Sequence, residues 1–318
     1  MHTIMQRSLQ SHLEGIEGVL LRDEPMNRHT SWRVGGNAEM FYVPTDKASL
    51  VQLMCQLPGN VPVFWFGLGS NLLVRDAGIP GMVVCTFKGM DEIERVDTES
   101  IYAQAGVTSA KLAKYCARHG LEGAEFLAGI PGSFGGAVAM NAGAFGGDTW
   151  SMIERIECLD RDGNINWFDK SEISYQYRHV DLPENNWIVG AQIKLKAIKG
   201  LDLGRRIREL LKTRGNSQPV QSANAGSVFK NPENDFAARL LEEVGMKGVS
   251  IGGAGYSSKH ANFIINEGSA TADDIESLIR LGQKSVEQRF GIKLETEVRI
   301  VGRSEPLETS EENGPGND

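Results

Sequence analysis

Cysteine is scarce in this chain of 318 residues, and the four present, at positions 55, 85, 116 and 158, never come closer than 30 positions to one another. Without a Cys-x-x-Cys pair, neither a zinc ribbon nor a thioredoxin-type redox site is readable. The six histidines show no His-x-x-x-His or His-Glu-x-x-His spacing, so a zinc hydrolase is not indicated and no metal is expected. Long apolar runs are also missing. The longest, around Val61–Leu68, is less than half of what a membrane crossing needs. Met1–Glu14 holds no apolar core of seven or more residues, so no leader is expected. Cations are outnumbered, 33 Lys and Arg by 41 Asp and Glu, and the net charge of −8 argues against a nucleic-acid partner. Part of that acidity is local, because residues 304–318 carry five acids and no Lys or Arg, and the balance without them is −3. These absences together predict a reduced, soluble, cytoplasmic protein with no membrane insertion.

What remains is ordinary globular material, 41% hydrophobic and 23% charged. The length suggests two domains or three small ones. It suffices to bury roughly three quarters of the unfolded surface without a disulfide or metal staple. No repeat is evident, and strands mixed with separated helices predict an α+β architecture, not a regular doubly wound sheet. In the first section Leu50, Leu53, Met54 and Leu57 recur at helical spacing, with Thr45 as the expected N-cap and Pro58-Gly59 as the stop. Pro62–Phe66 follows as a buried strand. The middle section holds strands at Ser100–Gln104 and Asn186–Leu195, and a helix from Thr108 to His119 closed by Gly120. The third section carries helices over Leu203–Arg214, Phe236–Val244 and from Thr271, where Asp274 completes a capping-box start. A strand over Leu294–Val301 should end the ordered chain, with the acidic tail beyond it expected to be disordered.

Two glycine-rich loops carry the first chemical signal. Gly67-Leu68-Gly69-Ser70-Asn71 follows a strand directly, so that bare backbone N–H groups can converge on an anion while Ser70 and Asn71 add short donors. It is neither a dinucleotide fingerprint nor a phosphate loop of the Gly-Lys-Ser type, and a tight turn between buried strands explains it equally. Ala128–Gly147 is stronger, with seven glycines, five alanines and no ionisable side chain in 20 residues. Such a segment buries little apolar area and loses much chain entropy on folding, which makes sense where backbone passes close to a large ligand. A glycine-rich connection between packed elements is the alternative. Two such loops without a cation suggest a diphosphate held by amide dipoles, as a dinucleotide cofactor would supply.

Candidate reactive residues lie later. Arg178 is either a surface cation or an anion clamp. Ser227 follows a glycine in Asn224–Pro232, with Lys230 and Asn231 nearby, but Phe229 two residues on excludes a Gly-x-Ser-x-Gly elbow. Glu297 shares a strand face with Glu295 and Arg299, a pattern that also fits a solvated edge. Lys259-His260 and the basic run Arg205, Arg206, Arg208, Lys212 and Arg214 can attract an anionic substrate or merely cover a surface.

Taken in order, His29–Gly36, Gly67–Val74, Ala128–Gly146, Tyr177-Arg178, Ala225–Pro232 and Leu294–Gly302 resemble the UDP-N-acetylenolpyruvoylglucosamine reductases (MurB), flavoenzymes of peptidoglycan precursor synthesis. The resemblance spans about residues 27–302. It implies a two-subdomain FAD-binding region of the vanillyl-alcohol-oxidase-like (PCMH-type) flavoproteins, over 1–90 and 91–203, and a C-terminal α+β substrate domain over 204–302. It further implies NADPH as reductant and UDP-N-acetylenolpyruvoylglucosamine as substrate. By position it puts the family's catalytic arginine at Arg178, its proton-donating serine at Ser227 and its glutamate at Glu297. FAD contacts are expected at Gly67, Gly69, Ser70, Asn71, Gly129, Ile130, Pro131, Gly132, Gly135, Gly136, Asn141 and Gly143, and substrate contacts at Lys230 and Asn231. Only nine residues, His179–Trp187, separate Arg178 from the next strand, which resembles the second type of the family, without the extra tyrosine-bearing loop. Glu297 is expected to be protonated, or to share a proton, beside a substrate carboxylate.

Overall fold

The computed structural model describes residue 13 and residues 15–304, so the proposed acidic tail and most of Met1–Glu14 lie outside the described residues. Three sheets organise the chain. The first runs Gly18–Pro25, Asn37–Pro44, Ile79–Cys85 and Val63–Phe66, antiparallel at the first pairing and parallel at the other two. One of its faces packs Met40, Tyr42, Met82 and Val84 against Leu50, Leu53 and Met54 of the helix Lys47–Gln56. Asp46, not Thr45, caps that helix. Its carboxylate accepts the Ser49 N–H at 2.8 Å while Ser49 Oγ takes the Asp46 N–H, a reciprocal box that the shorter Thr45 position cannot form.

The second sheet is antiparallel throughout, in the order Ile165–Asp169, Ile153–Asp160, Asn186–Lys194, Ser100–Gln104, Ile93–Arg95. Alternation puts Ile101, Ala103, Ile156, Cys158, Ala191 and Ile193 on one face. They meet Leu112 and Cys116 of the helix Ser109–Arg118, together with Phe134 and Trp150. In the third section the helices Ala237–Glu243 and Ala272–Phe290 cover the small sheet Ser250–Ile251, Ala254–Tyr256, Ile264–Asn266. Thr271 and Asp274 form the capping box and Gly291, at φ +70°, ends the long helix.

Trp32 and Leu73, both from the first ninety residues, are buried in this third core. The Trp32 Nε1–H donates to Ile264 O at 2.8 Å, and Asn266 Nδ2 returns a bond to Trp32 O at 2.8 Å. The His29–Gly36 stretch thus plugs one section into another.

The last strand is shorter than the alternation implies. Only Arg299–Val301 forms a strand, and it pairs in parallel with Leu72–Val74, directly after the first glycine loop. Upstream the chain instead follows the Ser227 segment: Lys230 N donates to Glu295 O, Phe229 bridges Thr296, and Glu297 N donates to Val228 O. The switch from one partner to the other leaves a bend at Glu297 and Val298. Glu297 and Glu295 therefore do not share an exposed strand face. The Glu295 side chain is 78% exposed and that of Glu297 15%.

Candidate active site

The two glycine-rich loops interlock. A Cβ on Gly67 would lie 1.8 Å from Ser133 Oγ, and one on Gly132, at φ +124°, 2.5 Å from Ser70 Oγ. Part of the glycine content therefore serves loop against loop. The Ser70 hydroxyl donates to Pro131 O at 2.8 Å, and Asn71 Nδ2 donates to Glu297 O at 3.0 Å. Both side chains expected as ligand donors are thus engaged in holding the loops. What the first loop offers a ligand is main chain: the N–H groups of Gly67, Leu68, Gly69 and Ser70 have no acceptor among the described residues. These loops wall a cavity of about 1070 Å³, completed by residues of the Arg178 hairpin, the Asn186–Ile188 strand, the Ser227 loop and the final strand. Such a volume exceeds the usual range for a single small molecule, about 300–1,000 Å³. Three residues that line it, Trp65, Asn186 and Gln218, also carry a buried polar atom (Nε1, Oδ1 and Oε1) with no hydrogen-bond partner among the described residues. The strand Val63–Phe66, expected to be buried, is half-buried at Val63, Phe64 and Trp65 and buried only at Phe66; Trp65 and Phe66 line this cavity.

Arg178 occupies the tip of the hairpin Ser174–Gln176/His179–Asp181. Its φ of +56° is a left-handed conformation that costs roughly 1–2 kcal/mol in a non-glycine residue. The contacts of its guanidinium offset that strain. Nε donates to Glu297 Oε1 at 2.9 Å, Nη2 to Gly143 O at 2.8 Å and Nη1 to Asn141 O at 3.3 Å. Both partners of the ion pair are largely withdrawn from water, at 16% and 15% exposure. Desolvation raises the Glu297 pKa above the ordinary carboxylate value, and the charges of Arg178 and Lys230 oppose that rise without cancelling it. The carboxyl is thereby biased toward its protonated form before any anion arrives.

Ser227 lines the same cavity, held from both sides by backbone bonds. Before it, Gly226 N donates to Asn224 Oδ1 at 2.9 Å. After it, the buried Asn262 clamps Phe229, accepting its N–H at 2.9 Å and donating to its carbonyl at 2.8 Å. The Ser227 hydroxyl itself makes no hydrogen bond among the described residues.

The other expected contacts divide. Gly129, Ile130, Pro131, Gly132, Gly135, Gly136, Gly143 and Lys230 line the cavity with Gly67, Gly69, Ser70 and Asn71. Asn141 does not. Buried beneath the loop, its side chain accepts the Trp150 N–H at 3.0 Å and donates to Gln176 O at 3.1 Å. Asn231 also lies off the wall, with Oδ1 accepting the Ala237 N–H at 3.1 Å. Lys259 is not on the wall itself and donates to Gly215 O and Gln218 O at the end of the helix Leu203–Ser217. Within the basic run, Arg205, Arg206 and Arg208 pair with Glu209, Glu122 and Asp202. Arg214, by contrast, lines the cavity half-buried and has no partner for its guanidinium among the described residues; desolvation lowers its pKa but a guanidinium stays charged.

A sequence model of FAD-binding domains matches residues 38–169, and one for the C-terminal domain of UDP-N-acetylenolpyruvoylglucosamine reductases matches residues 218–301. The UDP-N-acetylenolpyruvoylglucosamine reductase of Methylococcus capsulatus is 50% identical over 288 residues, 91% of this chain and 95% of that protein. The chain belongs to the UDP-N-acetylenolpyruvoylglucosamine reductase family. The Alkalilimnicola ehrlichii reductase is 48% identical over 91% of this chain and 96% of its own. The crystal structure of the reductase (MurB) from Thermus caldophilus superposes with a TM-score of 0.75 at 32% identity, covering 89% of this chain and 98% of that one. A fold made of an FAD-binding region and a reductase C-terminal domain accounts for the two glycine loops and for the segment that carries Ser227 and Glu297. Arg214 and Phe145, which also line the cavity, had no distinguishing sequence signal. One is the last cation of a run in which Arg205, Arg206 and Arg208 are spent on surface pairs, the other a lone aromatic in a glycine loop.

Proposed function

We propose that this chain is an FAD-containing reductase that uses NADPH to reduce the enolpyruvyl ether of UDP-N-acetylenolpyruvoylglucosamine to UDP-N-acetylmuramate, a cytoplasmic step of peptidoglycan precursor synthesis that serves cell shape and division. One observation carries the reading: the Arg178–Glu297 pair, drawn together across 119 residues, sits on the wall of a cavity lined by unpaired backbone donors. Residues 1–90 and 91–203 then hold the cofactor, and 204–302 brings the substrate. Bound FAD supplies reducing equivalents, drawn from NADPH and delivered to the enolpyruvyl double bond.

The protein's own groups do the rest. The amides of Gly67–Ser70 suit a diphosphate, because they present partial positive charge without a mobile cation. Arg178 holds the substrate carboxylate, where negative charge accumulates as the double bond is reduced. For that it exchanges part of its contact with Glu297, and a protonated Glu297 lets it go at lower cost than an anion would. Ser227, with an uncommitted hydroxyl, donates the proton to the α carbon. Arg214 and Lys230 offer charge to the anionic remainder of the sugar nucleotide, whereas Asn231, off the wall, is left to hold the start of the next helix through Ala237 N. No helix among the described residues is long and apolar enough to cross a membrane, in keeping with small soluble substrates.

An anaerobic titration tests the reading. Purified protein should be yellow, should bleach with NADPH, and should recolour on addition of UDP-N-acetylenolpyruvoylglucosamine. Recolouring with oxygen alone, and never with the sugar nucleotide, would identify a flavin oxidase of the same fold instead.

A further inference from the structure

The hairpin that carries Arg178 is held by little of its own. It has two strands of three residues each, and five of those six residues are exposed, with Val180 half-buried. An isolated two-stranded hairpin of that kind is marginally stable in water. Its tip is strained as well. The direction in which the guanidinium points must therefore be set from outside the hairpin.

We propose that Asn141 is a positioning residue, fixing the Arg178 guanidinium for its work on the substrate carboxylate, and not a ligand of the cofactor. Asn141 is 4% exposed and makes three contacts that converge on Arg178. Its Nδ2 donates at 3.1 Å to the carbonyl of Gln176, two residues before Arg178, where the stem meets the turn. Its Oδ1 accepts the N–H of Trp150 at 3.0 Å. Trp150 is fully buried, anchored by its own Nε1–H on Val138 O at 2.8 Å, and its ring stacks on Tyr175 of the hairpin at 4.8 Å. The main-chain carbonyl of Asn141 accepts Arg178 Nη1 at 3.3 Å. One residue thus ties the stem, the buried indole that supports the stem, and the guanidinium to a single point.

The residue type follows from the backbone. Asn141 has φ +46°, a left-handed conformation that asparagine tolerates better than most side chains. Glycine would keep the backbone and lose both side-chain bonds. Aspartate would keep the acceptor for Trp150 but face the Gln176 carbonyl with an oxygen, where the donor is needed. These two substitutions separate the anchor from the fold.

The inference rests on the reductase reading above, so its test has one arm that needs the substrate and one that does not. With flavin bound, Asn141→Gly and Asn141→Asp should be reduced by NADPH as fast as the parent. Their reoxidation by saturating UDP-N-acetylenolpyruvoylglucosamine should slow on the order of 10²-fold, the usual consequence of a catalytic group displaced by about an ångström. Excess substrate should not rescue it, because a misaimed guanidinium fails the developing charge more than the ground state. The second arm follows the Glu297 carboxyl by carbon NMR in the substrate-free holoprotein, its resonance assigned with Glu297→Gln. Loss of a fixed Arg178 should move the Glu297 pKa further upward in both variants. An unmoved Glu297, or equal impairment of both half-reactions, or loss of flavin from both variants overturns the proposal. If the parent holoprotein itself fails to reoxidise with the sugar nucleotide, the reductase reading is what fails, and the Glu297 titration still decides the role of Asn141.

Discussion

The two walls of the cavity are built from different materials. Gly67–Ser70 and Ala128–Gly147 present main chain, with the side chains of Ser70 and Asn71 turned back into protein contacts. The adjoining part of the wall, from Arg178, the Ser227 loop and the bend at Glu297, is bonded to those loops through Gly143 O and Asn71 Nδ2 and presents side chains whose charge and hydrogen bonding are adjustable. The contrast separates two tasks. Backbone dipoles fixed by interlocked loops can hold a large invariant ligand, but they cannot move a proton. The reacting groups therefore gather where the wall presents side chains, and burial there already raises the pKa of Glu297. Even there the groups differ: the Arg178 guanidinium is engaged on every nitrogen, whereas the Ser227 hydroxyl makes no hydrogen bond among the described residues.

If the division is real, changes on the side-chain wall should spare flavin binding and damage chemistry. The largest expected effect is Ser227→Ala. Flavin reoxidation by substrate should fall by about 10²–10⁴-fold, the range for a missing general acid, while reduction by NADPH and flavin content stay as in the parent. Stopped-flow traces of the two half-reactions measure this directly. Parallel loss in both would make Ser227 a structural residue and erase the contrast.

On the other wall the expectation reverses. In Gly67→Ala the new methyl would lie 1.8 Å from Ser133 Oγ. Rotating the hydroxyl would give up the Gly136 N–H that it accepts at 3.3 Å at the start of the short helix Phe134–Ala139, and would not suffice, because Ser133 Cβ would also lie at 2.5 Å and main chain must shift. Overpacking of this kind costs about 1–3 kcal/mol, and it should appear as weaker FAD retention, with near-parental half-reaction rates in whatever fraction keeps its flavin. Equilibrium dialysis against FAD gives the affinity. Normal affinity with slowed chemistry would show that the walls do not divide their labour as described.

Much of this arrangement was legible in the chain, and the illegible part has a physical pattern. Helices with a local cap, such as Ala272–Phe290 with its Thr271 and Asp274 box, were readable because the signal lies within one turn. The strand over Leu294–Val301 was over-read, since alternation continues through Glu297 while the hydrogen-bonding partner changes from the Ser227 segment to Leu72–Val74. Both glycine loops were recognised as a place for a large ligand. That they also bury against each other depends on the approach of Gly67 to Ser133, which no spacing records. Asn141 was grouped with the cofactor contacts because it sits inside a glycine-rich run, and residue type does not say which way a side chain turns. The resemblance names Arg178 and Glu297 separately as catalytic residues, and their ion pair emerges only in the fold. Nothing local to either residue points to the other.

The smallest effect sharpens the comparison most, because it probes the bias of the side-chain wall without substrate. In the folded protein Glu297 has a pKa above its ordinary value of 4.5, caused first by desolvation. An unfolded chain restores the ordinary value. Between the two, the folded state binds more proton than the unfolded state, so stability must fall as pH rises through that window. Above the folded pKa the full cost of burying the anion is present, less what Arg178 and Lys230 return. Glu297→Gln removes the titration while keeping an oxygen to accept the Arg178 Nε–H. Urea unfolding of holoprotein over a pH series should therefore show a shallower decline above pH 4.5 in the variant than in the parent. A decline identical in both would mean that Arg178 fully compensates the burial and that Glu297 is an ordinary ion-pair carboxylate. The proton sharing assigned to this wall would then have to begin only when the substrate carboxylate arrives.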